Sequence, residues 1–159
     1  MKSRSDTAVA VVAFATFLLA PALAVAINLT GEWTGSISCT AFDGTLFRIP
    51  RSTSSLFISH SASSFAAHLE GGEGPTDYSG QAVQQSGISS RLQGIMLECH
   101  TTPSLNDHSE AVHLKASETT SGARLKGSSI FRDQGGDIGT CRWSFKRANK
   151  NDPGLSDCP

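Results

Sequence analysis

Residues 31–39, GEWTGSISC, and residues 139–147, GTCRWSFKR, decide the fold. In the first, Trp33, Ile37 and Cys39 share one face with Gly35, against Glu32, Thr34, Ser36 and Ser38. In the second, Cys141, Trp143 and Phe145 share a face with Gly139, against Thr140, Arg142, Ser144 and Lys146. Apolar residues at every second position mark a half-buried β-strand. Pairing the two stretches antiparallel, with partner numbers summing to 180, sets Cys39 opposite Cys141, Ile37 opposite Trp143 and Trp33 opposite Arg147. Every inward position then matches, so the first and last strands can close a sheet on itself.

The same alternation, punctuated by Gly, Ser, Pro and Asn/Asp clusters, predicts strands at 54–60, 64–70, 77–84, 91–99, 109–117 and 123–132. In 109–117, Val112 and Leu114 oppose Ala111, His113 and Lys115; in 123–132, Leu125 and Phe131 oppose Arg124, Lys126 and Arg132. One apolar face per strand and short sequential links predict an all-β, eight-stranded antiparallel up-and-down barrel. A two-sheet β-sandwich is the alternative that fits the alternation.

Strands that alternate in direction put links 40–53, 71–76, 100–108 and 133–138 at one end, and the shorter 61–63, 85–90 and 118–122 at the other. The segment 40–53, TAFDGTLFRIPRST, carries Phe42, Leu46, Phe47 and Ile49, too apolar for an idle loop. It is expected to fold over the barrel mouth, with an extra edge strand at 44–49 as the alternative.

Of the 159 residues, 38% are hydrophobic, and the first 26 are the richest part. Lys2 and Arg4 precede an apolar run from Ala8 to Ala20, Pro21 breaks it, and Ala24-Val25-Ala26 has the small-x-small pattern of a cleavage site. This predicts a signal peptide at 1–26, a secreted or periplasmic destination, and no integral membrane span after its removal. Residues 27–159 form the predicted single domain, with a flexible C-terminal tail at 148–159; Gly, Ser and Thr supply 47 of its residues. A lean composition of this kind excludes a helical bundle, a coiled coil and a polytopic membrane protein. A formal net charge of −1 for the whole chain supplies no field for nucleic acid.

Cys39, Cys99, Cys141 and Cys158 all follow the signal, and an even number of exported cysteines predicts two disulfides. Four cysteines allow three connectivities. The expectation favours Cys39–Cys99 with Cys141–Cys158, because directly opposed strand cysteines make a difficult bridge. No C-x-x-C spacing points to zinc, and Cys99-His100 with His108 and His113 is more simply disulfide chemistry and surface histidine than a metal cluster. No metal or cofactor is expected.

The opening Leu29-Thr30-Gly31-Glu32-Trp33-Thr34-Gly35 resembles the G-x-W signature of the lipocalins and other calycins, and Arg147 resembles the basic residue that packs over that tryptophan. The resemblance implies a small-ligand barrel with Gly31, Trp33 and Arg147 as structural residues of its closed end. Avidins begin similarly, but Gly35 and Ser36 stand where those proteins place the biotin-holding Asn. On physical grounds alone, a large aromatic plugs the narrow end of a barrel, and a guanidinium over it supplies donors to chain ends unpaired there.

No nucleophile elbow, P-loop, G-x-G-x-x-G or H-E-x-x-H pattern occurs, so no catalytic residue is assigned. Glu98, Glu110 and Glu118 lie on strands from which they could pair across a barrel, although their spacing does not require it. Presumed inward positions that are small, such as Gly35, Ala67, Gly80 and Ala82, suggest a cavity between Trp33 and the mouth. The expected function is therefore a non-enzymatic binding module for a small, largely apolar ligand, held by Trp33, Phe42, Phe47, Ile49 and Trp143. The alternative is an envelope or secreted interaction or inhibitor protein that grips a protein partner through the loops at one end.

Overall fold

A computed structural model describes residues 27–158 apart from 43–44, 72–73, 87, 89, 100–107 and 134. The predicted signal peptide, 1–26, lies outside the described residues. The strands are β1 (Gly31–Phe42), β2 (Leu46–Ser61), β3 (Ser64–Glu70), β4 (Thr76–Gln84), β5 (Arg91–Glu98), β6 (Ser109–Thr119), β7 (Gly122–Arg132) and β8 (Ile138–Asn149). Each pairs antiparallel with the next, and β8 returns to β1, so the sheet is a closed eight-stranded barrel and not a sandwich.

The closing register is the expected one: Cys39 pairs with Cys141, Ile37 with Trp143 and Trp33 with Arg147. Inward positions follow the period-two pattern, with Leu92, Gly94 and Met96 buried on β5 and Ala123, Leu125 and Phe131 on β7. Closure removes both sheet edges, which a thin core could not otherwise protect.

The segment 40–53 is not a lid. β1 continues to Phe42 and β2 begins at Leu46, so the two strands extend as one long hairpin. Pro50 looks like a strand breaker, but the register shifts between Ile37 and Cys39, whose partners are Ser52 and Ile49. The two residues between those partners, Pro50 and Arg51, oppose Ser38 alone. Such a bulge accommodates a residue with no N–H to give the ladder.

The disulfides are Cys39–Cys141 and Cys99–Cys158, which corrects the expected pairing. Closure brings the Cα atoms of Cys39 and Cys141 to 4.0 Å, the approach of a closely spaced antiparallel pair. Cys99 follows β5, on the far side of the barrel from β1, so a bridge to Cys39 would have to cross the mouth. The tail reaches Cys99 instead. Ser59 Oγ donates to Asp152 Oδ1 at 2.5 Å and accepts from the Leu155 N–H at 2.8 Å, which holds the tail against β2. Ser59, Ala66, Ser79 and Leu97 pair in one row from β2 to β5, along the path to Cys99. Ala66 in that row alternates with the inward Phe65 and Ala67, yet is only 3% exposed.

Small inward glycines in the middle of the barrel leave no room for a side chain. A Cβ on Gly35 would meet the Ser144 carbonyl oxygen at 2.1 Å, and one on Gly80 would meet Phe65 Cζ at 2.4 Å. These glycines let neighbouring strands and rings approach, so the lower barrel is packed.

At the base, Ile27 and Leu29 are buried and Trp33 is fully buried. Trp33 Nε1–H donates to the Leu29 carbonyl at 2.8 Å, and the Arg147 guanidinium lies 4.5 Å from the Trp33 ring centroid. Arg147 also donates to the Asn28 carbonyl, with Glu118 at 3.8 Å. Burial lowers the pKa of His60, and its Nδ1 accepts the Leu29 N–H at 3.2 Å. The expected contact of Arg147 with Trp33 is present, and it closes one end.

Candidate functional site

At the opposite end the barrel opens into a cavity of about 720 Å³. Its apolar lining includes Ile37, Leu69, Phe131 and the Cys39–Cys141 bridge, and its polar lining includes Ser52, Ser54, Tyr78, Glu98, His108 and Glu110. The mixture follows from strand parity: the inward positions of β5 run Leu92, Gly94, Met96 and then Glu98, and those of β6 run Glu110, Val112, Leu114 and Ala116. The inward faces are apolar in the barrel body and turn acidic at the mouth.

Two polar pairs organise this end. The Tyr78 hydroxyl donates to Glu110 Oε2 at 2.7 Å, and both residues are buried. Burial raises the Tyr78 pKa far above its ordinary value, and the charge of Glu110 and its hydrogen bond raise it further. Tyr78 thus remains a protonated donor throughout the physiological range. His108 Nδ1 lies 2.8 Å from Glu98 Oε2, and the His108 ring stacks on Phe131 at 5.6 Å. Below them Trp143 meets Tyr78 edge to face at 5.8 Å and donates from Nε1 to Ser129 Oγ at 3.1 Å.

The residues expected to hold a ligand do not come together. Trp33 is in the base, at the other end from the cavity. Phe42 is on the outer wall, 56% exposed, because the hairpin carries it past the mouth. Phe47 and Ile49 pair with Ala41 and Cys39 in the ladder, but their side chains lie outside the described residues. Trp143 is one layer beneath the cavity and does not line it. Of the three strand carboxylates, Glu98 and Glu110 both line the mouth, whereas Glu118 is at the base with Arg147 and Lys150. Tyr78 was not singled out as a site residue, and its signal was its inward parity with Gly80 and Ala82 near the mouth end of β4.

Chemically the mouth offers carboxylate and hydroxyl acceptors between aromatic walls, which suits recognition of a donor-bearing molecule. Among the described residues, no group of three His, Cys, Asp or Glu side chains is placed to hold a metal ion. Outside the mouth, Leu97, Ala111 and Ile130 pair side by side across β5, β6 and β7, and Ile138 and Phe42 pair between β8 and β1. Leu97, Ile130, Ile138 and Phe42 are each more than half exposed, an apolar patch spread over two neighbouring rows of the outer wall. No protein-family model matches the chain, and no curated protein matches it.

Proposed function

We propose that the chain is an exported, disulfide-clamped binding module that takes a small ligand into the mouth cavity without catalysing a reaction. The observation that carries this reading is the cavity itself, about 720 Å³, open at one end and floored by packed side chains. Its volume and mixed lining are those of small-molecule sites. The resemblance of Gly31-Glu32-Trp33 and Arg147 to the calycins supports it. Export to a secreted or periplasmic destination is supported by the N-terminal pattern and by two disulfides, which persist in oxidising compartments. Ile27, the first residue after the predicted cleavage point, already belongs to the base, so removal of 1–26 would leave the plug intact.

The test uses the neutral dye Nile red. The oxidised protein takes it up, and Ser52→Trp, which fills the cavity from its wall, weakens uptake by about tenfold or more, equivalent to about 1.4 kcal/mol. The melting temperature of that variant confirms that it is folded. Undiminished dye binding by folded Ser52→Trp places the dye elsewhere and removes the reading.

A second reading, a protein-interaction module acting at the mouth end, is favoured by the exposed apolar patch of Leu97, Ile130, Ile138 and Phe42. It differs from the first in the surface it uses, the outer wall rather than the cavity.

A further inference from the structure

We infer that the mouth cavity selects a small organic cation, a protonated amine carried on an aromatic or similarly apolar body. This rests on the reading of the cavity as a ligand site and adds the chemistry of what enters.

Glu98, Glu110 and Asp133 line the cavity, and none of its described lining residues is lysine or arginine. Among the described lining residues, His108 alone has a side chain able to become a cation, and it faces Glu98. A concave, partly desolvated surface of one sign concentrates ligands of the opposite sign.

Glu110 is 9% exposed, and the Glu98 side chain is 12% exposed. Glu98 has the His108 ring 2.8 Å away, whereas a carboxylate as buried as Glu110 is costly unless a charge or several hydrogen bonds compensate it. The Tyr78 hydroxyl is a neutral donor to Glu110, and it cannot supply the compensation a cation does. An ammonium group seated at Glu110 supplies both the charge and the N–H donors.

Ser54 lines the same cavity, is 4% exposed, and its Oγ has no hydrogen-bond partner among the described residues. A buried hydroxyl left without a partner is unfavourable, and by turning toward the cavity it could be satisfied by a polar group on an occupant. The walls fit the rest of such a molecule, because Tyr78 and Phe131 present aromatic surface that attracts cations and packs against rings. A bare metal ion is disfavoured, since no three candidate ligands converge among the described residues.

The test compares three probes of one shape and different charge at pH 7: 1-naphthylmethylamine as the cation, 1-naphthylmethanol as the neutral analogue and 1-naphthylacetate as the anion. Titrated into the oxidised chain, the amine binds about tenfold or more tighter than the alcohol, and the acetate binds weakest. In Glu110→Gln the preference for amine over alcohol falls to about twofold while alcohol binding is retained. Glu98→Gln, judged folded by its melting temperature, is the second variant should Glu110→Gln fail to fold, and it reduces the preference in the same direction. Equal binding of amine and alcohol, or a preference for the acetate, overturns the cation inference and leaves the ligand-site reading standing. If none of the three probes binds, the ligand-site reading falls and this inference falls with it.

Discussion

Replacing Cys39 and Cys141 together by alanine lowers the unfolding free energy of the oxidised protein by about 4 kcal/mol. The bridge joins residues 102 apart, the first strand to the last, at the seam where the barrel closes. A cross-link over so long a loop removes many of the conformations open to the unfolded chain. Its loss also leaves the β1–β8 ladder to hold the seam through hydrogen bonds and the packing of Trp143 and Phe145. Cys99–Cys158 spans 59 residues, and loop entropy alone makes it only slightly weaker. It ties the tail across the outside, however, and no strand pair depends on it. Denaturant titration of the two double-alanine variants should therefore rank the seam bridge as the larger loss. The opposite ranking would mean that the outer strap, and not the seam, holds the barrel closed.

Trp33→Ala is expected to cost about 4 kcal/mol, in the range for removing a fully buried aromatic from a packed site. Trp33 is the inner surface of the base, its indole bonded to the Leu29 carbonyl and its ring beneath Arg147. Truncation opens a hole under Ile27 and Leu29, and it leaves the largely buried Arg147 side chain without its aromatic partner. Trp33→Phe keeps most of the apolar area and loses the N–H donor, so its cost is near the worth of one hydrogen bond, about 1 kcal/mol. Urea unfolding of both variants measures the contrast. A Trp33→Ala variant as stable as Trp33→Phe would show that the base relaxes around the gap and that Trp33 is not its plug.

The barrel was legible because period-two alternation and matching inward faces are local signals, and the Cys39–Cys141 and Trp33–Arg147 pairings followed from a single register. The disulfides were harder for a physical reason. Spacing says nothing of where a tail travels, and the course of residues 150–158 past Ser59 brings Cys158 to Cys99. The apolar residues of 40–53 fitted either a fold over the mouth or a strand at 44–49, and the structure has a strand from Leu46, continued through Pro50 by a bulge. At the site, hydrophobicity pointed to Phe42 and Trp33, but strand length carried one past the mouth and barrel closure put the other in the base. Glu98 and Glu110 were visible as strand carboxylates, and parity together with their places at strand ends would have located them at one mouth. What sequence could not supply was their neighbours, since Tyr78–Glu110 is a contact 32 residues apart across the barrel interior.

The chain has two tryptophans, one beneath the cavity and one in the base, so two indole N–H signals report its two ends. Adding 1-naphthylmethylamine to ¹⁵N-labelled protein tests the ligand site most directly. The account predicts that the Trp143 indole and the backbone amides of Tyr78, Glu98, Glu110 and Phe131 shift while the Trp33 indole stays in place. Shifts confined to Leu97, Ala111 and Ile130 on the outer wall, or to Trp33 at the base, would contradict it.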